Sequence, residues 1–68
     1  MPTLLDYQDK LAEELDIQAD YRRRAAAAKR EHQERKRIAC ENHANNRERM
    51  IQTYLRKIAE LTRMETNA

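Results

Sequence analysis

Hydrophobic side chains recur at helical spacing near both ends of the chain. Drawn at about 100° per residue on a helical wheel, those of the first twenty residues fall in one arc and those after residue 50 fall in another. Each pattern predicts an amphipathic α-helix, the second over residues 47–64. We expect these side chains to make the apolar contacts with a partner. They are Leu4, Leu11, Leu15, Ile51, Tyr54, Leu55, Ile58 and Leu61.

The two apolar arcs agree in direction if a single straight helix joins them. Nothing in between interrupts a helix, because the chain has no glycine and its only proline is Pro2. Thr3 and Asp6 are spaced as a capping box at the start of a helix. We therefore predict an all-α chain with one long, nearly continuous helix, on the order of 90 Å long at 1.5 Å per residue.

A helical hairpin with unequal arms is the alternative. Its turn is expected near residues 41–46, where the sequence ENHANN contains three asparagines, a residue type that tolerates the left-handed conformation. In that hairpin Leu4, Leu11 and Leu15 extend beyond the second arm. Both shapes leave apolar surface uncovered, so coiled-coil or bundle-like packing is expected only on association with another chain.

Charge divides the chain into three blocks. Residues 1–20 carry a net charge of −5, residues 21–40 carry +6 and residues 41–68 carry +1. On one continuous helix, cations of the middle block form a double row with a spacing of seven residues. This row is predicted to contact an acidic protein or a polyanion. Its members are Arg22, Arg23, Lys29, Arg30, Lys36 and Arg37.

Length and composition favour a single helical module that depends on a partner. The chain has 68 residues, no Phe or Trp, and 38% charged residues, against roughly 25% in an ordinary domain. We expect a homo-oligomer or a subunit of a larger assembly. The lone Cys40 and the absence of an apolar run long enough for a membrane span favour an intracellular, reducing compartment, either the cytoplasm or a particle assembled there.

Catalytic and metal-binding patterns are weak in this sequence. No nucleophile, base and acid are grouped, and no glycine-rich loop is present to hold a phosphate. His32, Cys40 and His43 are zinc-binding residue types, but His32 lies too far along a helix to join the other two. We predict no enzyme, no metal, no cofactor and no small-molecule substrate. The expected function is non-catalytic interaction or structure, with binding or packaging of nucleic acid through the basic face as the alternative.

Overall fold

The computed structural model describes residues 3–67, which form two α-helices joined by a short turn. Helix α1 runs over Leu4–Arg30 and helix α2 over Glu34–Asn67. They pack against each other as an antiparallel hairpin with extents of 54 × 18 × 14 Å. The predicted all-α class is confirmed, and the molecule has the hairpin form of that prediction.

The position of the turn differs from the predicted one. It lies at residues 31–33, so it interrupts the continuous helix, and residues 41–46 lie inside α2. Ala44 of that segment is buried against α1, and this packing outweighs the low helix propensity of its asparagines. The earlier turn also makes the arms similar in length. The leucines of α1 therefore do not overhang, and the rings of Tyr7 and Tyr54 lie 6.2 Å apart near the open end.

The first turn of α1 is closed by the predicted capping box. The backbone N–H of Asp6 donates to Oγ1 of Thr3 at 3.3 Å, and the backbone N–H of Thr3 donates to Oδ2 of Asp6 at 2.8 Å. These two hydrogen bonds favour the ionised carboxylate, so the pKa of Asp6 lies below its ordinary value. The sequence thus sets where α1 begins.

His32 provides the backbone conformation that the turn requires. Its φ of 58° lies in the left-handed region, which glycine usually occupies and where histidine is enriched several-fold among other residues. The N–H of Gln33 donates to the carbonyl of Ala28 at 2.8 Å, and the N–H of His32 donates to that of Lys29 at 3.2 Å. These two bonds form a Schellman motif, which ends α1 and satisfies its last carbonyls.

The surface between the helices, which we term the seam, follows steps of three and four residues on each helix. This average period of 3.5 is that of a coiled coil. All of its side chains are buried or half-buried. On α1 they are Leu4, Tyr7, Leu11, Glu14, Gln18, Tyr21, Ala25 and Ala28, and on α2 they are Arg37, Cys40, Ala44, Arg47, Ile51, Tyr54, Ile58 and Leu61.

The seam changes character along the hairpin. Near the turn it contains four small, buried residues, which allow the helices to approach closely. These are Ala25, Ala28, Cys40 and Ala44. At the open end it contains leucine, isoleucine and tyrosine, whose larger side chains supply most of the apolar contact. Part of the apolar pattern that predicted a partner is therefore used within the chain.

Polar side chains occupy the middle of the seam. Gln18 is buried, and its Nε2 donates to the carbonyl of Ala44 at 3.1 Å and to Oε2 of Glu48 at 2.8 Å. Nη1 of Arg47 donates to both carboxylate oxygens of Glu14 at 3.2 Å. Because a slip of either helix would break these bonds, this layer fixes the register of α1 against α2.

Candidate interaction surfaces

The predicted apolar contacts separate into two groups in the structure. Six of them lie in the seam, where they contact the other helix of the same chain. Leu15 and Leu55 do not, and they remain 45% and 44% exposed. A helical wheel does not distinguish the buried group from the exposed one, because Leu15 and Leu55 point in nearly the same direction as their neighbours in the seam. Contact with a partner stays a prediction, and these two residues are the most accessible for it.

Leu15 and Leu55 share one broad face of the hairpin. Arg22 follows Leu15 by seven residues on α1, and Glu48 precedes Leu55 by seven on α2. Hydrogen bonds from Gln18 and Gln52 and, to a smaller degree, the nearby charge of Arg22 lower the pKa of Glu48. Arg22 and Glu48 therefore lie on the same side of the hairpin, each next to its seam residue, Tyr21 and Arg47. Residues seven apart keep nearly the same direction on a helix, which brings the two leucines to the same face.

We call this surface the leucine face. It consists of exposed side chains at steps of three and four residues on both helices, and none of them is ionisable. Its members are Leu5, Gln8, Ala12, Leu15 and Ala19 on α1 and Gln52, Leu55, Ala59 and Thr62 on α2. The first twenty residues include six acids, so their exclusion from this strip of α1 is a specific feature of the sequence. Leu5 is a member that the sequence prediction did not select.

The opposite broad face, which we call the polar face, carries charged and aromatic side chains that contact one another. The ring of Tyr21 stacks on that of His43 at 4.8 Å, and the guanidinium of Arg24 lies 5.7 Å from the centre of the Tyr21 ring. Arg24 also forms an ion pair with Asp20 at 2.9 Å. Met50, seven residues after His43, and Met64, fourteen residues further on, are exposed apolar side chains here, at 39% and 66%. The two broad faces therefore offer different chemistry.

Carboxylates along α2 are held in their ionised form by hydrogen bonds. Gln18 and then Gln52 donate to Glu48, and these bonds lower its pKa. Arg37 donates to Glu34 and lowers the pKa of that carboxyl group. The same contact with Glu34, followed by one with Glu41 at 2.8 Å, raises the pKa of the Arg37 guanidinium. Arg37 is therefore an intrachain ion-pair partner in the seam.

The six predicted cations do not form one double row. The turn at residues 31–33 places Arg22, Arg23, Lys29 and Arg30 on α1 and the other two on α2. Arg23 forms an ion pair with Asp20 at 3.6 Å, and both side chains are exposed. Lys36 precedes His43 by seven residues and so lies towards the polar broad face, away from Arg22 and Lys29. The predicted double row depends on one straight helix through residues 31–33, and the turn at these residues divides it between the two helices.

Exposed cations instead gather at the turn end of the hairpin. Four cations within six residues of the turn form no ion pair with the residues that the structure describes, namely Lys29, Arg30, Arg35 and Lys36. Arg35 was not among the predicted contacts, and the position of the turn brings it to the same end of the hairpin as Arg30. These four cations share one end of the hairpin but not one face, and their side chains can pair with acidic groups of either protein or phosphate.

The candidate metal ligands do not converge. Cys40 is buried in the seam, His32 is exposed in the turn and His43 stacks on Tyr21. Over the described range, no group of three or more metal-ligating side chains is present. Neither helix, across the same residues, is long and apolar enough to cross a membrane.

Comparison of this chain with protein families, with curated proteins and with solved structures finds no significant match. Functional inference therefore depends on the surfaces described above.

Proposed function

We propose that the protein is a non-catalytic interaction module that binds another helical protein surface through its leucine face. The observation that carries this proposal is an uncharged, exposed face with Leu5, Leu15 and Leu55 on a chain in which 38% of residues are charged. Surfaces of this kind are unusual on monomers and are typical of protein interfaces. Docking a helix on them gains roughly 25 cal/mol for each Å² of apolar surface removed from water.

The hairpin is suited to this role because its own packing does not use the leucine face. The seam, the capping box and the turn motif hold both helices without Leu15 or Leu55. A partner therefore meets a surface that is already formed, and little conformational entropy is lost at binding. Rigid helices also hold these side chains at fixed spacing.

Site-specific photo-crosslinking tests the proposal in the cells that produce the protein. A photoreactive phenylalanine analogue replaces Leu15 in one variant and Leu55 in a second. Met50, which has similar exposure on the polar face, is replaced in the control. We expect protein adducts from positions 15 and 55 and few from position 50, because only the leucine face is covered by a partner.

Equal adducts from all three positions would indicate random collision, and no protein adduct from positions 15 and 55 would contradict the proposal. Adducts to nucleic acid alone would favour a different function. Circular dichroism of each variant checks that the hairpin has kept its helix content.

Nucleic-acid binding is the second candidate, and it is favoured by the exposed cations at the turn end. Lys29, Arg30, Arg35 and Lys36 lack intrachain acidic partners among the described residues, so phosphates can approach them. Against it, the open half of the hairpin has a net negative charge, which repels a long duplex. The cations can therefore contact only a short stretch of the sugar-phosphate backbone of a nucleic acid.

Titration of duplex DNA at several salt concentrations tests this second candidate. Four engaged cations give a slope of about −3 to −4 in log affinity against log salt. The variant Lys29→Glu with Lys36→Glu should abolish binding. The matched variant Arg49→Glu with Arg56→Glu changes the same charge near the open end and should retain most of it. If both variants lose binding, the contact is not specific to the turn end. If the natural chain does not bind DNA even at low salt, the turn-end site is excluded.

A further inference from the structure

We propose that the partner of the leucine face is a short amphipathic helix of another protein, whose apolar stripe has basic residues along one side and acidic residues along the other. This inference rests on the proposed function, since it specifies the partner of the same surface. It is carried by two observations, the opposite charges at the two edges of the leucine face and the length of that face.

The two edges of the leucine face carry opposite charge. Asp9 and Asp16 follow the edge on α1, and Arg49, Arg56 and Arg63 follow the edge on α2. Each row has a spacing of seven residues, so its members point in nearly the same direction from their helix. All five side chains are exposed, and none forms an ion pair with the residues that the structure describes. Their charges are therefore available to a partner.

The leucine face has the length of a short helix and not that of the whole hairpin. From Leu5 to Ala19 it extends along α1 for roughly 21 Å, at about 1.5 Å per residue, whereas the hairpin is 54 Å long. Towards the turn, the same broad face carries the charges of Arg22 and Glu48. A partner that also covered the turn half would have to remove these charges from water, which opposes binding. The face therefore fits a helix of about four turns.

A single helix can lie in the groove between α1 and α2. Leu15 on α1 and Leu55 on α2 contact its apolar stripe from the two sides of the groove. Ala12 and Ala59 beside them are small, so the backbone of the partner helix can approach closely. Charged side chains on its flanks extend to the two edges, where the ion pairs stay partly hydrated. Such pairs contribute more to the choice of partner than to the affinity.

The two charged edges also determine the direction of the partner helix. Because α1 and α2 run antiparallel, their dipoles nearly cancel and favour neither direction. A helix in the groove has one flank beside each edge, and turning it end for end exchanges the flanks. If its apolar residues occupy heptad positions a and d, a helix parallel to α1 has its g positions beside α1 and its e positions beside α2. Bases at g with acids at e therefore favour the parallel direction, and the reverse pattern favours the antiparallel one.

Fluorescence anisotropy with synthetic peptides tests the chemistry of the partner. Three peptides of about 18 residues have leucine at a and d and differ only in their flanks. One has lysine on one flank and glutamate on the other, the second has lysine on both, and the third has glutamate on both. Each labelled peptide is kept at nanomolar concentration, so that it does not associate with itself. We expect the mixed peptide to bind about fivefold or more tightly than either uniform peptide at low salt.

Substitutions on the two broad faces locate the bound peptide. Leu15→Glu should weaken binding of the mixed peptide at least about tenfold, because it places an unpaired charge in the groove. Met50→Glu, at a position of similar exposure on the polar face, should leave the affinity within about twofold. Equal weakening in both variants would contradict binding at the leucine face. Circular dichroism verifies that each variant keeps its helix content.

Charge reversal at one edge tests the edges independently of the leucines. Arg49→Glu with Arg56→Glu makes both edges acidic, so the preference should change to the peptide with lysine on both flanks. Lys10→Glu with Lys57→Glu makes the same change in net charge, also near the open end but towards the polar face. This control should keep the preference for the mixed peptide. Equal changes of preference in both variants would show that net charge alone selects the peptide, and would overturn the inference.

Pulsed electron paramagnetic resonance measures the direction of the bound peptide. One nitroxide is attached to the N-terminus of the mixed peptide and the other to the chain variant Met64→Cys with Cys40→Ala, at the open end. With lysine at g and glutamate at e, the distance between the labels should be roughly 10–15 Å shorter than with these residues exchanged. Equal distances for the two peptides would contradict a direction set by the edges.

Failure of this inference can be distinguished from failure of the proposed function. If the mixed peptide does not bind, or binds no more tightly than the uniform ones, while position 15 still gives protein adducts in cells, the helical partner is wrong and the proposed function stands. A dimer in sedimentation equilibrium that Leu15→Glu dissociates would assign the face to a second copy of the chain and would also overturn the inference. Absence of adducts from positions 15 and 55 contradicts the proposed function itself.

Discussion

Gln18 is the polar side chain that is buried within the described part of the hairpin. It is 4% exposed, and its amide bridges α1 to the carbonyl of Ala44 and the carboxylate of Glu48 on α2. Truncation of this side chain leaves a gap and removes two hydrogen bonds. Replacement by an apolar side chain of similar size removes the hydrogen bonds but fills the gap. Gln18 therefore contributes both to the stability of the hairpin and to the register of α1 against α2.

We predict that Gln18→Ala and Gln18→Leu differ in their effects. The alanine variant should lower the free energy of unfolding by about 1–3 kcal/mol, while the leucine variant should stay within about 1 kcal/mol of the natural chain. Urea denaturation followed by circular dichroism measures both values. Equal losses would show that the amide bonds, and not the volume of the side chain, dominate at this site.

Leu15 and Ile51 follow the same kind of apolar pattern but differ in burial. Both belong to apolar arcs on the wheel, yet Ile51 is 3% exposed and Leu15 is 45% exposed. A wheel gives the direction of a side chain about its own helix, but the line of contact depends on where the second helix lies. The composition of the leucine face is therefore a sequence property, and its exposure is a property of the fold.

At the scale of the elements, the helices follow directly from local chemistry but the turn does not. The capping box at Thr3 and Asp6 predicts the start of α1, and the structure places α1 at Leu4. The turn was missed because the usual residues for positive φ are glycine and asparagine, while the chain uses His32. A Schellman motif needs only one such residue, and a histidine in a run of helix formers gives little sign of it.

We predict that His32→Gly stabilises the hairpin. Glycine adopts φ near 58° without the steric cost of a Cβ atom, although it increases the entropy of the unfolded chain, so the expected net gain is about 0.5–1 kcal/mol. His32→Val should instead lower stability, because a β-branched residue is least tolerant of this conformation. Thermal denaturation of the three proteins compares them. A loss of stability in the glycine variant would contradict a left-handed residue at this position.

For the molecule as a whole, the seam is the structure that opposes unfolding. Ile51 and Ile38 lie on the same helix, but Ile51 is buried in the seam and Ile38 is 44% exposed. Matched substitutions at these two sites therefore separate the contribution of the seam from that of helix propensity.

Ile51→Ala is expected to lower the free energy of unfolding by about 2–4 kcal/mol, enough to unfold much of a chain of this size. Ile38→Ala, with the same change in side chain, should have an effect below about 0.5 kcal/mol, partly because alanine favours the helix. Chemical denaturation at low protein concentration provides the values. A similar loss of unfolding free energy in both variants would contradict the burial of Ile51 in the seam.

The pH dependence of stability follows from carboxylates on both helices. Hydrogen bonds from the backbone and side chain of Thr3 lower the pKa of Asp6, and bonds from Arg37 and Gln18 lower those of Glu34 and Glu48. Groups with a depressed pKa stabilise the fold above their unfolded pKa, and this contribution is lost as the pH falls through their folded pKa. Acid should therefore destabilise the hairpin.

We expect the melting temperature to be nearly constant above about pH 5 and to fall between about pH 5 and 3. Circular dichroism melts across this range measure the effect. Glu48→Gln should reduce the fall, because one of the responsible carboxylates is gone. Asp16→Asn serves as control, because Asp16 forms no hydrogen bond or ion pair within residues 3–67. A melting temperature that rises on acidification would contradict the assignment.

Local chemistry along the chain is enough to predict that it is helical and where its first helix begins, because these properties depend on contacts within a few residues of the backbone. The sequence also determines the order of charge along the chain. Packing of one helix on the other is needed to know that the chain folds back at His32, that six predicted contacts face the seam and that Leu15 and Leu55 face outward. The physical reason is that burial against a second helix is a gain of many distant contacts together, and no local pattern reports where that helix will lie.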